Sequence, residues 1–205
     1  AAAYAVVAYQ TAWLKTHYPA QFMASLMTYP ANNDAVAGLI RNARDMGIEV
    51  LPPDVNRSQK HFDTDEGRIR YGLLGVKHVG EGMVEEIIRA RTAKMPEDIF
   101  DFVDGLDVHQ VNRQALEALI KAGALDCFPG NKAQKLAAIG DLIESAQHTA
   151  KNTLEGQISL FSMGEGAPNI SIKRTLPYMS EFLKEDLLRM EKEMIGIYLS
   201  DHPLH

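Results

Sequence analysis

The chain has 205 residues with a formal net charge of −6, and 46% of them are hydrophobic. That is enough apolar mass for one large domain or two small ones, and it excludes a uniformly basic nucleic-acid coat without excluding a local basic patch. A single cysteine, Cys127, rules out an internal disulfide and suits a reducing cytoplasm; no apolar run reaches the roughly 18 residues of a membrane span.

The chain opens on AAAYAVVAYQTAWLK, an alanine-rich helix with Tyr4, Val7, Ala8, Trp13 and Leu14 near helical spacing. Tyr4, Tyr9 and Trp13 are expected in a core. There is no initiator Met and no secretory leader, so the sequence reads as a piece of something longer. Pro19 opens a second helix, AQFMASLMT. A third, DAVAGLIRNARDM, is stopped by Gly47. Pro52 and Pro53 make IEVLPPDVNRS extended. HFDTDEGRIRYG alternates around a turn and predicts a β-hairpin. Asp63-Thr64-Asp65 resembles a metal-binding aspartate pair in spacing, but turn aspartates are common and the turn is the expectation.

From Gly72 to Ala93 the pattern is a short helix, a tight glycine hairpin and a longer helix. Lys77-His78-Val79-Gly80-Glu81-Gly82 is the hairpin. Gly80 and Gly82 are expected to take positive φ and to bring the backbone close to a ligand. The amides opening the next helix then face a phosphate. Residues 68–94 hold Arg68, Arg70, Lys77, Arg89, Arg91 and Lys94 against three glutamates, net +3 in an acidic chain. Such a site grips the DNA backbone without reading sequence. EDIFDFV predicts a short helix. Asn112 is placed to cap RQALEALIKA, with Gly123 as its stop. Residues 73–91 and 112–128 look like two versions of one helix–glycine turn unit. A long amphipathic helix is expected over 131–152, and a linker over 156–175 carries GQISLF. A last helix over 178–199 aligns Met179, Leu183, Leu187, Met190 and Met194. The histidines and the cysteine have no zinc-site spacing, and there is no nucleophile–base motif or Walker loop. The fold class is mainly α with one small β-hairpin, and the residues alone offer binding surfaces with no catalytic residue and no metal site. They leave three readings open: part of a larger DNA enzyme, a freestanding helix-hairpin-helix module for DNA repair or junction binding, and a helical adaptor.

Five stretches, in this order and spacing, resemble the DNA polymerase III alpha-subunit family of bacterial replicative polymerases. They are AAAYAVVAYQTAWLKTHYPAQFMASLMT, GIEVLPPDVNRS, IRYGLLGVKHVGEGMVEEIIRAR, VNRQALEALIKAGALD and EKEMIGIYLSDHPL. The resemblance implies that residues 1–71 are part of the polymerase fingers. Residues 72–130 would be a tandem helix-hairpin-helix module gripping duplex primer-template DNA. Residues 131–175 would be a helix and linker with a clamp-binding peptide. Residues 176–205 would lead toward C-terminal domains. On this likeness, Gln157-Ile158-Ser159-Leu160-Phe161 is the peptide that docks on the sliding clamp, with Leu160 and Phe161 as anchors. Tyr9 and Lys15 are candidates to face nucleotide or template. Lys77, His78, Val79, Gly80, Gly82, Arg68, Arg70, Arg89 and Arg91 are the DNA-binding candidates. The usual pattern has glycine where this chain has His78. The palm aspartates of the family, and the Mg²⁺ ions they hold, would lie outside this segment, so it implies an inactive segment with no cofactor of its own. Other replicase subunits would be further partners in a bacterial cytoplasm.

Overall fold

A computed structural model describes residues 2–29, 33–159 and 174–200. It is mainly helical. The first helix, α1 (Ala2–His17), buries none of its residues. Tyr4 is 83% and Tyr9 71% exposed. The core placement expected for Tyr4, Tyr9 and Trp13 is therefore not found: the described fold has nothing packed over this helix. Its end turns directly into α2 (Pro19–Thr28), whose N1 proline needs no intrahelical partner for its missing N–H. Helix α2 buries Ala20, Met23, Ala24 and Met27. Helix α3 (Asn33–Asp45) follows and stops at Gly47, where φ is +76°.

The predicted hairpin is present as β2 (Asp63–Asp65) and β3 (Arg68–Arg70), antiparallel with Thr64 opposite Ile69. Its two central residues, Glu66 and Gly67, have φ of +52° and +82°. Positive φ at both is what a two-residue type I′ hairpin requires. A third strand, β1 (Val50–Leu51), joins in parallel to β3, giving the order β1-β3-β2. The double proline after Leu51 ends this strand, since proline cannot donate to a ladder. Asp65 is taken by Arg70 at 2.7 Å, and Arg70 holds its carboxyl below the ordinary value.

A 3₁₀ turn (Leu73–Gly75) and α4 (Glu81–Ala93) form one helical pair; α5 (Ile99–Asp104) and α6 (Arg113–Lys121) form a second. Asp98 caps α5 by accepting from the Asp101 amide, and Asn112 caps α6 by accepting from the Ala115 amide, both at 2.8 Å. Buried residues from both pairs, including Val84, Ile87, Phe102, Val103, Leu116 and Leu119, share one core.

The long helix expected over 131–152 is broken at Ala138 into α7 (Lys132–Ala137) and α8 (Ile139–Ser159). Asn131 and Gln134 make a capping box at the start of α7. Helix α8 runs seven residues past the expected end, so the backbone of Gln157, Ile158 and Ser159 is helical and not linker. Gly156 alone is too weak a breaker to stop it. Leu160 and Phe161 lie outside the described residues.

The final helix, α9 (Lys184–Ile195), is shorter than the expected 178–199. Residues 177–181 are occupied by α7 instead. Pro177 and Met179 give their carbonyls to the Gln134 and Asn131 side chains, and the Glu181 carboxylate accepts from the Lys132 and Ala133 amides. Leu183 and Met179 are exposed, and the buried face of α9 is Leu188, Glu191, Met194 and Ile195. Buried Glu191 is satisfied by the Leu199 and Ser200 amides and the Ser200 hydroxyl.

Leu116 is fully buried where the two helical pairs meet one core. Leu116→Ala is expected to cost about 2–5 kcal/mol, read by urea denaturation of the two proteins.

Candidate nucleic-acid interface

The two helical pairs present equivalent loops. In the first, the Val79 amide closes on the Val76 carbonyl, and Gly80 is the N-cap of α4. In the second, the Gln110 amide closes on the Asp107 carbonyl, and Asn112 is the N-cap of α6. Aligning the caps sets Lys77-His78-Val79-Gly80-Glu81-Gly82 beside His109-Gln110-Val111-Asn112-Arg113-Gln114. The repeat expected between 73–91 and 112–128 is thus shifted: α6 corresponds to α4, and α5 corresponds to the 3₁₀ turn.

The loops meet reciprocally. His78, two residues before its cap, has Nδ1 3.2 Å from Gln114 Nε2, two residues after the other cap. Gln110, two before its cap, sits over Gly82, two after: a Cβ at Gly82 would lie 2.8 Å from Gln110 Oε1. This is the contact pattern of a local two-fold axis. It puts the N-termini of α4 and α6 side by side at an exposed surface. Gly80 offers no capping side chain, and nothing stands within 4 Å of the place its Cβ would take. The first turn of α4 therefore has no side-chain cap on its amides, whereas Asn112 takes one amide of α6.

The glycines do not have the conformation expected from the sequence. Gly80 has φ of −80°, and Gly82 lies inside α4. The left-handed residue of the loop is His78, at φ +65°. That region costs most L-residues roughly 1–2 kcal/mol, with histidine among those found there more often. Gly82 is needed for a different reason, the seat of Gln110.

Few of the expected cations gather at these loops. Lys77 does: it is exposed and has no salt bridge to any described residue, while its amide donates to the Met194 carbonyl. Val79 is buried beneath the loop. Arg68 pairs with Glu49 and Glu66, and Arg70 with Asp65, all at the small sheet. Arg91 donates to the Val55 carbonyl at 2.8 Å. Arg89 pairs with Glu86 at 2.6 Å and donates to the Gly105 carbonyl. Glu86 also accepts from the Asp107 amide at 2.6 Å. Arg89 and Glu86 together hold the second loop against α4. Sequence reading did not single out His109, Gln110, Arg113 and Gln114, all exposed at the second loop. Matching VG before α4 with VN before α6 would have found them. Tyr9 and Lys15 lie on exposed α1, far from this pair of loops in the chain order. Among the described residues no group of three or more His, Cys, Asp or Glu side chains could hold a metal ion, and no helix is long and apolar enough to cross a membrane.

Both helix–loop–helix units lie within residues 47–135, which match the family model for the helix-hairpin-helix motif. The match begins at Gly47, just before β1, consistent with the Val55 amide donating to the Ala124 carbonyl and Arg91 reaching Val55. The whole chain is similar to one segment of the DNA polymerase III alpha subunit. It is 39% identical to that of Vibrio cholerae over 206 residues, covering 99% of this chain and 18% of the relative. With the Pseudomonas aeruginosa subunit it shares 39% over 221 residues, 99% of this chain and 19% of the relative. With the Escherichia coli subunit it shares 38% over 207 residues, 100% and 18%. The chain thus spans about a fifth of the length of the curated relatives it matches, and the family resemblance seen in its motifs is a true relationship.

Arg89 holds the Glu86 carboxyl below the ordinary 4.5, with help from the Asp107 amide and against partial burial. A lowered carboxylate stabilises the fold in full above the ordinary value and loses this contribution as pH falls through the folded-state value. Glu86→Gln should cost about 1 kcal/mol at pH 7, and the gap from the parent should close below the ordinary glutamate range. Denaturation midpoints across pH 3–7 check it.

Proposed function

We propose that this chain is the DNA-gripping part of a bacterial replicative DNA polymerase alpha subunit, acting in template-directed DNA synthesis. The observation that carries the reading is the pairing of the α4 and α6 N-termini at one exposed surface, in a chain related over its full length to that subunit. Residues 72–130 hold duplex primer-template DNA by its phosphates. Residues 1–71 serve as part of the fingers, where the uncovered apolar α1 faces another part of the enzyme, with Tyr9 and Lys15 toward nucleotide or template. Residues 176–205 lead on toward C-terminal domains. The aspartates and Mg²⁺ of nucleotidyl transfer belong to a palm beyond these residues, so the chain alone transfers no nucleotide. It works in the cytoplasm with other replicase subunits. The full-length similarity favours this over a freestanding repair module, which would leave α1 and GQISLF without a purpose.

Phosphate binding releases counterions, so affinity falls with salt. Fluorescence anisotropy with duplex DNA should give a linear fall of log K with log salt. Lys77→Ala should reduce that slope by about one. Binding that ignores salt would sink the reading.

Residues 131–175 are proposed to carry the sliding-clamp peptide, Gln157 to Phe161. Burying Leu160 and Phe161 offers about 3–6 kcal/mol gross, part of which ordering consumes. A weak peptide is sufficient when DNA and a ring-shaped clamp tether one another. Calorimetric titration into a bacterial clamp should show an affinity on the order of micromolar, abolished in Leu160→Ala/Phe161→Ala.

A further inference from the structure

We propose that the groove between α3 and the C-terminal end of α9 docks an acidic peptide segment of a partner protein, with one large apolar side chain in its cavity and carboxylates on Arg41, Arg44 and Lys192. The inference is independent of the DNA-gripping reading.

The groove is built at one backbone turn. Gly196 ends α9 at φ of +91°, with its amide on the Lys192 carbonyl at 2.8 Å. A left-handed glycine is a common helix stop. The chain past it is tied to α3 by Arg44, which donates to the Tyr198 and Leu199 carbonyls at 3.3 and 3.1 Å. Between these elements lies a cavity of about 290 Å³, with Ala37, Ile40, Ile197 and Tyr198 among its walls. It has room for one leucine- or phenylalanine-sized side chain.

The charge around that seat has one sign. Arg41, Arg44 and Lys192 line the cavity and are exposed, and no Asp or Glu among the described residues lines it. Arg44 is held by carbonyls, and Lys192 Nζ sits 4.9 Å over the Tyr198 ring. Of the acids nearest in sequence, buried Glu191 is taken up by Leu199 and Ser200, and neither Asp45 nor Glu193 reaches the lining. Arg68, Arg70 and Arg89, in contrast, each have a carboxylate partner.

Three cations around an apolar seat select an occupant that is both acidic and apolar. Arginine forks suit carboxylates, which they can grip through two parallel bonds. Nucleic-acid phosphates would meet the charges and leave the apolar walls unused, whereas a peptide uses both. A second cavity of about 510 Å³ adjoins the first, sharing Ala37, Lys192 and Gly196, and it too is lined by no carboxylate of the described residues. Together they give an extended segment room beyond a single side chain.

Anisotropy of the 205-residue chain with a fluorescein-labelled peptide, two glutamates on each side of one phenylalanine, tests the fit. A twin peptide carries alanine for phenylalanine. The first should bind saturably below about 1 mM, and the twin about 10-fold or more weakly than the first. Arg41→Gln and Lys192→Gln, at exposed positions, should melt as the parent does and bind the first peptide about 3- to 5-fold more weakly at low salt. Ala37→Leu fills part of the cavity and should remove most of the first peptide's advantage over the twin. Binding of neither peptide by the folded chain overturns the proposal. So does equal binding of both, which would make the groove a charge patch without a seat, and so does an advantage kept in full by Ala37→Leu. Duplex DNA binding that falls in Arg41→Gln and Lys192→Gln by as much as peptide binding would assign the groove to nucleic acid and overturn it as well. A parent chain without salt-sensitive DNA binding removes the DNA-gripping reading and leaves the peptide result to stand by itself.

Discussion

Glu86 is the residue on which the arrangement of the two paired loops hangs. Its carboxylate, on α4, takes the Asp107 amide from the second loop and pairs with Arg89, which in turn donates to the Gly105 carbonyl. Two contacts to one short stretch of backbone, from side chains that brace each other, fix where the second loop sits relative to the helix of the first. A hydrophobic core alone sets two helices at a distance but leaves sliding along their axes soft. Directional bonds to an ionised group remove that freedom. With the loops in register, His78 meets Gln114 and Gln110 meets Gly82; without it, neither contact has a reason to form.

The local elements were legible where backbone chemistry is decisive. Asn112 as cap, Gly47 and Gly123 as stops, Pro19 as a helix opener and the Glu66-Gly67 turn all act through nearest neighbours, and each is found as read. The C-terminal region was misread because tertiary bonds override local preference. Residues around Met179 and Glu181 have a helix-compatible pattern, yet their carbonyls and carboxylate are used to close the start of α7. The small sheet gained β1 because a two-residue parallel pairing leaves almost no trace in sequence.

The candidate site was half legible. The glycine hairpin corresponds to the loop before α4, but the local charge was a poor guide to the surface. Arg68, Arg70 and Arg89 carry positive charge that the fold spends on carboxylates, whereas Lys77 keeps its own. Charge counted along a chain ignores what folding brings beside it. The conformation of the hairpin was misassigned for a related reason. Glycine was taken as the mark of positive φ, but Gly82 answers to the space Gln110 needs, a demand that comes from the other loop.

The end of α9 touches three parts of the molecule at once. The Met194 carbonyl receives the Lys77 amide, the Ile195 carbonyl receives the Tyr71 hydroxyl, and the carbonyls of Tyr198 and Leu199 receive the Arg44 guanidinium. In mechanical terms this makes α9 a strut with its foot on the loop before α4, on the end of the sheet and on α3. A pull along the strut is felt at Lys77 through a single bond, with no flexible segment between. A displacement at the C-terminal end of α9 and a displacement of the loop before α4 thus share one short load path, and a strain in either is a strain in the other.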